Sequence, residues 1–267
     1  MLKDITLGQF FPGTSVVHRL DPRTKLLMLV GYIVALFVAS GWVSYAVCFV
    51  FLAVSIALSR IPLKSIFRGL KPLVFILIFT GVLNLFFTPG TPIFRWGFIT
   101  ITWEGLAQAA KMMLRILMLI SGTFLLTYTT SPIALTDGLE SLLGPLKAIK
   151  VPVHELSMMM CIALRFIPTL IEETDKIMSA QKARGADFES GNLLERVKAL
   201  VPILVPLFIS AFRRADELAT AMECRCYQGG DGRTKMKLLR YRRYDYVTYL
   251  VGFLLVAGVI ALVSFGL

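Results

Sequence analysis

The feature that most constrains this chain is a set of apolar runs that contain no Asp, Glu, Lys, Arg or His and approach or exceed the length of a membrane span. Four such runs cover residues 26–40, 42–58, 72–87 and 246–267. A transmembrane helix needs about 20 predominantly apolar residues, and the first run reaches that length with the polar residues before it. Because 56% of the 267 residues are apolar, the composition also indicates a polytopic membrane protein.

A further apolar run, from Leu106 to Thr129, predicts another span but carries Lys111 and Arg115 near its start. Charges inside a bilayer are costly and often functional. We favour the interpretation that both long side chains extend to the outer interface. If they instead faced an internal cavity, they would support a membrane-bound enzyme or a channel.

The distribution of positive charge predicts the topology. All 28 Lys and Arg residues except Arg95, Lys111 and Arg115 lie before residue 26, between 60 and 71, or between 147 and 243. This asymmetry places the N-terminus in the cytoplasm. The net charge of +11 therefore reflects topology, and we do not expect nucleic acid as a partner.

Motifs for catalysis or for a cofactor are missing from the sequence. There is no G-x-x-x-x-G-K-[ST] loop for a nucleotide, the two histidines are isolated, and the four cysteines form no C-x-x-C pair. We therefore expect no enzyme, no metal site and no cofactor. The absence of Asp, Glu, Lys, Arg and His from four spans also argues against a self-sufficient secondary transporter.

One helical surface occurs twice between residues 153 and 229, at an offset of 41 positions that superimposes Arg184 on Arg225. Asp175 falls on Asp216 in the same alignment. The apolar spacing in each copy predicts an amphipathic helix with one buried stripe. The aligned apolar pairs are Leu170 with Ala211, Ile171 with Phe212, Ile177 with Leu218, and Met178 with Ala219.

Each copy ends in an arginine between two small residues. Gly185 suits a left-handed helix stop, and Gly229 and Gly230 lie just past the second arginine, so both arginines are predicted in or near a last turn. A cation there can simply offset the helix dipole, which contributes about 0.3–1 kcal/mol. The repeat favours a second interpretation, in which small neighbours allow each helix tip to enter a cleft. The two tripeptides are Ala183-Arg184-Gly185 and Cys224-Arg225-Cys226.

The predicted fold is an all-α integral membrane protein with about five transmembrane helices and long cytoplasmic helices. Residues 1–24 are a cytoplasmic lead-in, 25–130 hold four spans, 131–244 are cytoplasmic and 245–267 form the last span. The short, proline-containing runs 156–171 and 199–212 are interpreted as amphipathic or re-entrant, and the sequence leaves open whether they are interfacial or membrane-inserted. Asp21-Pro22 predicts a helix start, Asn192 with Glu195 a capping box, and residues 88–104 an outer loop.

Small residues recur at four-residue spacing in the first and last spans, at Gly31, Ala35 and Ala39 and at Ala257 and Ala261. This spacing allows helices to approach closely in lipid. Such faces either bind other membrane proteins or pack the spans of this chain together.

The lead-in, several spans and two helices with arginine-centred ends together resemble the transmembrane T component (EcfT-like scaffold) of energy-coupling factor transporters. The lead-in residues that carry the resemblance are Pro12-Gly13-Thr14-Ser15, His18 and Leu20-Asp21-Pro22-Arg23-Thr24-Lys25. The resemblance implies a scaffold in a bacterial or archaeal cell membrane. Its coupling helices would join two cytoplasmic ATP-binding cassette (ABC) ATPases to a membrane S component that captures a vitamin or metal ion.

By this resemblance, Arg184 and Arg225 would each enter a groove on one ATPase. Ala183, Gly185, Cys224 and Cys226 would be the small flanks, although Cys-Arg-Cys departs from the commoner Ala-Arg-Gly form. ATP hydrolysis would take place in the partner subunits. The alternative is a conventional ABC importer permease with its own translocation path. The sequence does not identify the substrate, since another polypeptide would recognise it.

Overall fold

The structure, a computed structural model, describes residues 10–96, 99–186, 188, 193–230 and 238–266. Contacts between these residues group them into two units. The bundle unit comprises the described residues within 10–141 and 239–266, and the hairpin unit comprises those within 142–238.

The bundle unit is built from helices and one pair of short strands. Pro92–Trp96 (β1) pairs antiparallel with Ile99–Thr102 (β2), so the predicted outer loop 88–104 contains a small sheet. A 3₁₀ turn at Lys71–Leu73 joins the fourth and fifth helices. The helices are α1 (Val16–Arg19), α2 (Pro22–Val38), α3 (Trp42–Ser59), α4 (Leu63–Leu70), α5 (Val74–Phe87), α6 (Trp103–Thr129), α7 (Pro132–Leu143) and α10 (Arg243–Ser264).

The hairpin unit consists mainly of two helices of equal length. Helix α8 is Val153–Ala183 and helix α9 is Leu193–Glu223, each of 31 residues. A 3₁₀ turn at Gly144–Ile149 precedes them. The capping box predicted at Asn192 lies outside the described residues.

By length and composition, five helical segments of the described chain are able to cross a membrane. Four coincide with predicted spans and are Trp42–Ser59, Leu63–Phe87, Trp103–Thr129 and Arg243–Ser264. The fifth is Val153–Ala183, with the lowest mean hydropathy of the set, 1.3. The predicted first span is the 17-residue helix α2, at the lower end of the spanning range. The interfacial placement of residues 156–171 stays a prediction.

The core of the bundle unit lies where α2, α3, α6 and α10 meet. Ala35 and Ala39 of α2 are fully buried against Val259 of α10, and Gly31 approaches Val256. The small residues of the first span therefore pack this chain's own helices. Ala257 and Ala261 lie on the exposed face of α10, so packing within the described chain does not account for them and binding to another membrane protein stays a prediction. The other buried core side chains are Tyr32, Leu36, Tyr45, Cys48, Leu52, Met118 and Leu255.

A buried carboxylate joins the starts of the first and last long helices of the bundle unit. The side chain of Asp21 caps α2 as predicted, accepting a hydrogen bond from the backbone N–H of Arg23 at 2.9 Å. The backbone N–H of Asp21 donates to Oδ1 of Asp245 at 2.9 Å, and that of Arg242 donates to Oδ2 of Asp245 at 2.7 Å. Asp245, only 1% exposed, therefore satisfies two amides at the meeting point of α2 and α10.

Lys25 ties the same end of the bundle unit to α6. Its buried ammonium group donates to the carbonyl oxygens of His18 and Thr129 and to Oγ1 of Thr130, at 3.3, 2.8 and 3.2 Å. The three donors of the ammonium group therefore each have an acceptor. The lead-in residues that resemble the family's motif thus have a structural role in closing the bundle.

Lys111 and Arg115 bind the turn between α2 and α3 at the opposite end. Lys111 Nζ donates to the carbonyl of Ser40 at 2.9 Å, and Arg115 Nη2 donates to the carbonyl of Ala39 at 3.0 Å. These carbonyls follow the C-terminus of α2, where cations are stabilised by the helix dipole. The arrangement supports a structural role for both cations and gives no support to a catalytic or channel site.

Helix α1 is held by His18. Its ring nitrogen Nε2 lies 3.0 Å from the carbonyl oxygen of Phe11. Because a carbonyl only accepts, Nε2 carries the proton and donates it. Nδ1 therefore accepts from the hydroxyl of Ser15 at 2.7 Å. Gly13 packs against the ring so closely that an added Cβ would lie 2.8 Å from Cε1. Burial is the main cause that lowers the pKa of His18 below its ordinary value of 6.5.

Replacing Asp245 by Ala is expected to destabilise the protein, because the N–H groups of Asp21 and Arg242 lose their acceptor in a buried site. Leaving a buried polar group unsatisfied costs about 1–3 kcal/mol. Thermal unfolding in mild detergent measures the effect, and Asp245→Asn should be intermediate because its amide oxygen still accepts. Asp216→Ala is the matched control, since Asp216 is exposed. Equal melting temperatures for Asp245→Ala and the control would contradict this assignment.

The lowered pKa of His18 predicts a dependence of stability on pH. The unfolded chain binds the proton more readily than the folded chain, so stability is fully present above about pH 6.5 and falls as the pH drops toward the folded pKa. Thermal unfolding of wild type and of His18→Gln between pH 8 and pH 5, on the order of eight steps, isolates this contribution. The difference in melting temperature between the two proteins should shrink as the pH falls. A constant difference would refute the assignment.

Candidate docking tips of the hairpin unit

The first arginine-centred tripeptide forms the end of α8. Arg184 is the C-cap residue, and Gly185 follows with φ of +88°. The backbone N–H of Ala186 donates to the carbonyl of Gln181 at 3.0 Å, and that of Gly185 donates to the carbonyl of Lys182 at 3.0 Å. These two bonds define a Schellman motif, in which a left-handed residue stops the helix. The predicted role of Gly185 is confirmed.

The second tripeptide ends α9 with the same motif. The backbone N–H of Tyr227 donates to the carbonyl of Met222 at 3.0 Å, and that of Cys226 donates to the carbonyl of Glu223 at 2.8 Å. Arg225 therefore occupies the position that Arg184 occupies in α8. The left-handed residue is Cys226, with φ of +57°, whereas the sequence suggested Gly229 or Gly230 for the stop. The backbone conformation at position 226, rather than the location of the glycines, decides where α9 ends.

The two tips present their arginines to solvent. All six residues of the two tripeptides are exposed. Within the described part of the chain, neither the Arg184 nor the Arg225 guanidinium forms a hydrogen bond or an ion pair with another side chain. Each tip therefore offers an uncommitted, five-donor cation between small residues. Below, "docking tips" means residues 183–185 and 224–226.

The docking tips lie at opposite ends of the helix pair. Gln181 Nε2 donates to the carbonyl of Pro202 at 3.4 Å, and Ser210 Oγ donates to Glu173. In these two contacts the higher-numbered residue of α8 meets the lower-numbered residue of α9, so the helices are antiparallel. Gly230, beyond the second tip, accordingly packs against His154 near the start of α8.

An ion pair joins equivalent positions of the two repeat copies. Glu173 Oε2 and Arg214 Nη2 are 2.8 Å apart, and the residues are separated by the repeat offset of 41 positions. Each docking arginine lies 11 residues beyond its member of this pair, in opposite directions. At a rise of 1.5 Å per residue, the docking tips are roughly 30 Å apart along the pair. The sequence signal for this contact is that Glu173 and Arg214 carry opposite charges and align with each other in the repeat. The sequence analysis did not use this signal.

An apolar stripe between residues 200 and 212 of α9 is uncovered. It shares only Phe212 with the stripe predicted from the repeat, of which Ala211 and Leu218 are half-buried. The described side chains of α9 repeat with helical spacing along an exposed face, and Phe212 is the most exposed at 68%. An apolar face of this extent marks a surface for a protein or a membrane. The stripe comprises Leu200, Val201, Leu204, Val205, Phe208, Ile209 and Phe212.

The helices separate beside the second docking tip. A groove of about 470 Å³ opens between Ile162 and Phe166 of α8 and the last three turns of α9. Met222 and Tyr227, whose backbones are joined by the Schellman hydrogen bond, both line it.

The described residues contain no group of three His, Cys, Asp or Glu side chains placed to hold a metal ion. The docking tips likewise bring together no nucleophile and base. Their chemistry is that of recognition by a guanidinium.

The family model described as cobalt transport protein, CbiQ, matches residues 13–236. Relatives named energy-coupling factor transporter transmembrane protein EcfT match nearly the whole chain. The Ruminiclostridium cellulolyticum protein is 56% identical over 92% of this chain and 92% of the relative, and the Thermosediminibacter oceani protein is 58% identical over 96% and 97%. The Bacillus subtilis protein is 52% identical over 92% and 93%.

The chain belongs to the EcfT family. It is therefore the T component of an energy-coupling factor transporter and a multi-pass membrane subunit. The resemblance seen in the lead-in and in the paired tripeptides is confirmed. The matches to these relatives cover 92% and 96% of this chain, so both docking tips lie within the matched part.

The two cysteines of the second docking tip are expected to respond oppositely to glycine. Cys226→Gly removes a left-handed clash worth about 1–2 kcal/mol and adds about 0.5–1 kcal/mol of backbone entropy, so the last turn should be stabilised. Cys224→Gly only adds entropy to a residue whose N–H continues the helix ladder. Amide hydrogen exchange of residues 224–227 should slow in the first variant and accelerate in the second. Changes of the same sign in both would contradict the assigned backbone geometry.

Proposed function

We propose that this T component couples two ABC ATPases to a substrate-binding S component through the docking tips. Each docking tip enters a groove on one ATPase subunit, and ATP-driven closure of the ATPases moves the two tips. The observation that carries the proposal is the repetition of one exposed, Schellman-capped arginine at both ends of an antiparallel helix pair. Two equivalent partner subunits require two equivalent contacts.

The spacing of the docking tips supports two separate partners. A distance of roughly 30 Å is about the diameter of a small domain, so one ATPase groove is unable to hold both arginines. The two 31-residue helices are continuous despite internal prolines at 168, 202 and 206, so each is long enough to carry a displacement from its tip to the other end. The Glu173–Arg214 pair lies midway between the tips and keeps the two helices in register.

The chemistry of a guanidinium suits such a groove. Its planar fork forms charge-assisted hydrogen bonds with carboxylates or carbonyl groups, and its charge does not depend on pH near neutrality. The small flanking residues leave the fork accessible. A buried charged contact of this kind costs about 2–5 kcal/mol when one partner is truncated.

The exposed apolar stripe of α9 supports the other half of the coupling path. We assign it to the S component and the adjoining bilayer, because an apolar face on a membrane subunit is stable when covered by either. Movement of the docking tips would displace this stripe, so the substrate-binding partner would respond to ATP without itself binding ATP. The transported vitamin or metal ion is selected by that partner.

The basic end of the bundle unit supports an orientation in the cell membrane with the N-terminus in the cytoplasm. Lys25, Arg60 and Arg242 lie at the end where α2 and α10 start, and Lys111 and Arg115 bind the opposite end. The positive-inside rule assigns the end with more positive charge to the cytoplasm. ATP and its hydrolysing subunits are on that side.

Replacing Arg184 and Arg225 by Ala together is expected to reduce uptake by at least about tenfold, because each lost contact is worth at least about 1.4 kcal/mol. The readouts are substrate uptake in vesicles containing the whole transporter and co-purification of the ATPases. Each single variant should weaken one contact, and Arg→Lys should retain part of it. The matched control is Arg213→Ala, which removes an exposed arginine from α9. Normal uptake with intact co-purification in the double variant would refute the proposal.

A further inference from the structure

The basic end of the bundle unit contains an apolar cavity that the coupling role does not use. Its volume is about 350 Å³, and α1, α2, α3, α6 and α10 all contribute to its wall. Leu29, Phe51, Leu125 and Val251 represent the four long helices in the lining. A cavity of this size in a membrane protein is within the range of small-molecule sites.

A polar cleft adjoins the apolar cavity. It has a volume of about 500 Å³ and is lined by Arg19 of α1 and Arg60 at the end of α3. Three residues, Val16, Leu58 and Tyr244, line both spaces, so the cleft and the cavity are adjacent. A basic cleft therefore lies next to an apolar cavity at this end of the bundle unit.

The cations of the cleft are uncommitted. Arg19 and Arg60 are both exposed, and within the described residues neither guanidinium has an ion pair or a hydrogen bond with another side chain. Arg60 adopts a left-handed backbone conformation with φ of +56°, where glycine is the usual residue. Lys25 also lines the cavity, but its donors are held by His18, Thr129 and Thr130.

One buried polar group lines the apolar cavity. Tyr32 is 3% exposed and lines the cavity, and its hydroxyl has no hydrogen-bond partner in the described structure. The hydroxyl is therefore an unsatisfied donor among apolar lining residues.

We propose that the cleft and the cavity together bind one anionic phospholipid, with its phosphate at Arg19 and Arg60 and an acyl chain in the apolar cavity. Arginine pairs with phosphate through two parallel hydrogen bonds. Basic residues at the cytoplasmic surface attract anionic lipids. The ester carbonyls, which follow the phosphate, accept from Tyr32. This inference is independent of the docking tips and of the proposed coupling path.

The lipid would act as a brace for the bundle unit. It contacts five helices that otherwise surround an empty volume, and it fills the space between α1 and the ends of α3 and α10. Binding to the folded state alone stabilises that state in proportion to lipid concentration. The first effect expected of an anionic lipid is therefore a higher melting temperature of the transporter.

The test is native mass spectrometry of the full transporter in mild detergent, titrated with phosphatidylglycerol or with phosphatidylcholine. Wild type should bind one phosphatidylglycerol at least about fivefold more tightly than phosphatidylcholine, because only the former carries net negative charge. Arg19→Gln with Arg60→Gln should abolish this preference. Lys64→Gln with Arg68→Gln removes the same charge from exposed positions of α4 and should preserve it.

A second variant tests the apolar half of the site. Ser55 lines the cavity and bonds only to the carbonyl of Phe51 in its own helix, so Ser55→Phe fills the space at little cost to the fold. It should weaken binding of both lipids by at least about tenfold. Ser55→Leu replaces it if the Phe variant unfolds. Each Ser55 variant counts as folded if its melting temperature without added lipid equals that of the wild type.

Three outcomes would overturn the proposal. The first is equal loss of preference in the Arg19/Arg60 variant and the Lys64/Arg68 control. The second is unchanged lipid binding in the folded Ser55 variant. The third is full competition by glycerol phosphate, which has no acyl chain and would indicate a simple anion site, or displacement of the lipid by a protein segment of the transporter.

Discussion

The antiparallel register of α8 and α9 is the constraint on which the rest of the hairpin unit depends. The Glu173–Arg214 pair joins positions separated by the repeat offset, so it lies at the centre of an approximate two-fold relation between the copies. Every residue at a given distance from this pair in α8 therefore has a counterpart at the same distance in α9. A parallel arrangement of the same repeats would bring both arginines to one end and leave a second partner without a contact.

The bundle unit depends on a different kind of interaction. Asp245 accepts from amides at the starts of both α2 and α10, and Lys25 donates to the carbonyl of Thr129, the last residue of α6. Buried charges that are fully hydrogen-bonded specify which helix ends meet, a role that apolar packing between spans does not provide. The chain is thereby closed, because its first and last long helices are held together at their N-terminal ends.

Much of the architecture follows from local rules in the sequence. The charge-free runs predict three of the membrane-capable segments, and the run 106–129 predicts a fourth. Asp21-Pro22 predicts the start of α2, and the repeat predicts two matched helices. These features depend on composition, capping and helical period, which are properties of neighbouring residues. The lead-in motif and the paired tripeptides together were sufficient to indicate the family.

The remaining features depend on contacts between distant residues. The strand pair within 92–102, the left-handed stop at Cys226 and the anchoring of Lys111 by Ser40 all require knowledge of which backbone groups meet. Periodicity indicates an apolar stripe on α9 but not its exposure, because exposure depends on which other elements lie against the helix. The roles of the docking tips stay predictions, because they depend on partner subunits.

The composition of the two docking tips has a chemical consequence. Cys224 and Cys226 are free, exposed thiols at the end of α9, whereas the end of α8 has Ala183 and Gly185 at the equivalent positions. The helix pair is therefore nearly symmetric in shape and asymmetric in reactivity. A thiol reagent distinguishes its two ends, so the proposed contact at the end of α9 can be followed separately from the proposed contact at the end of α8.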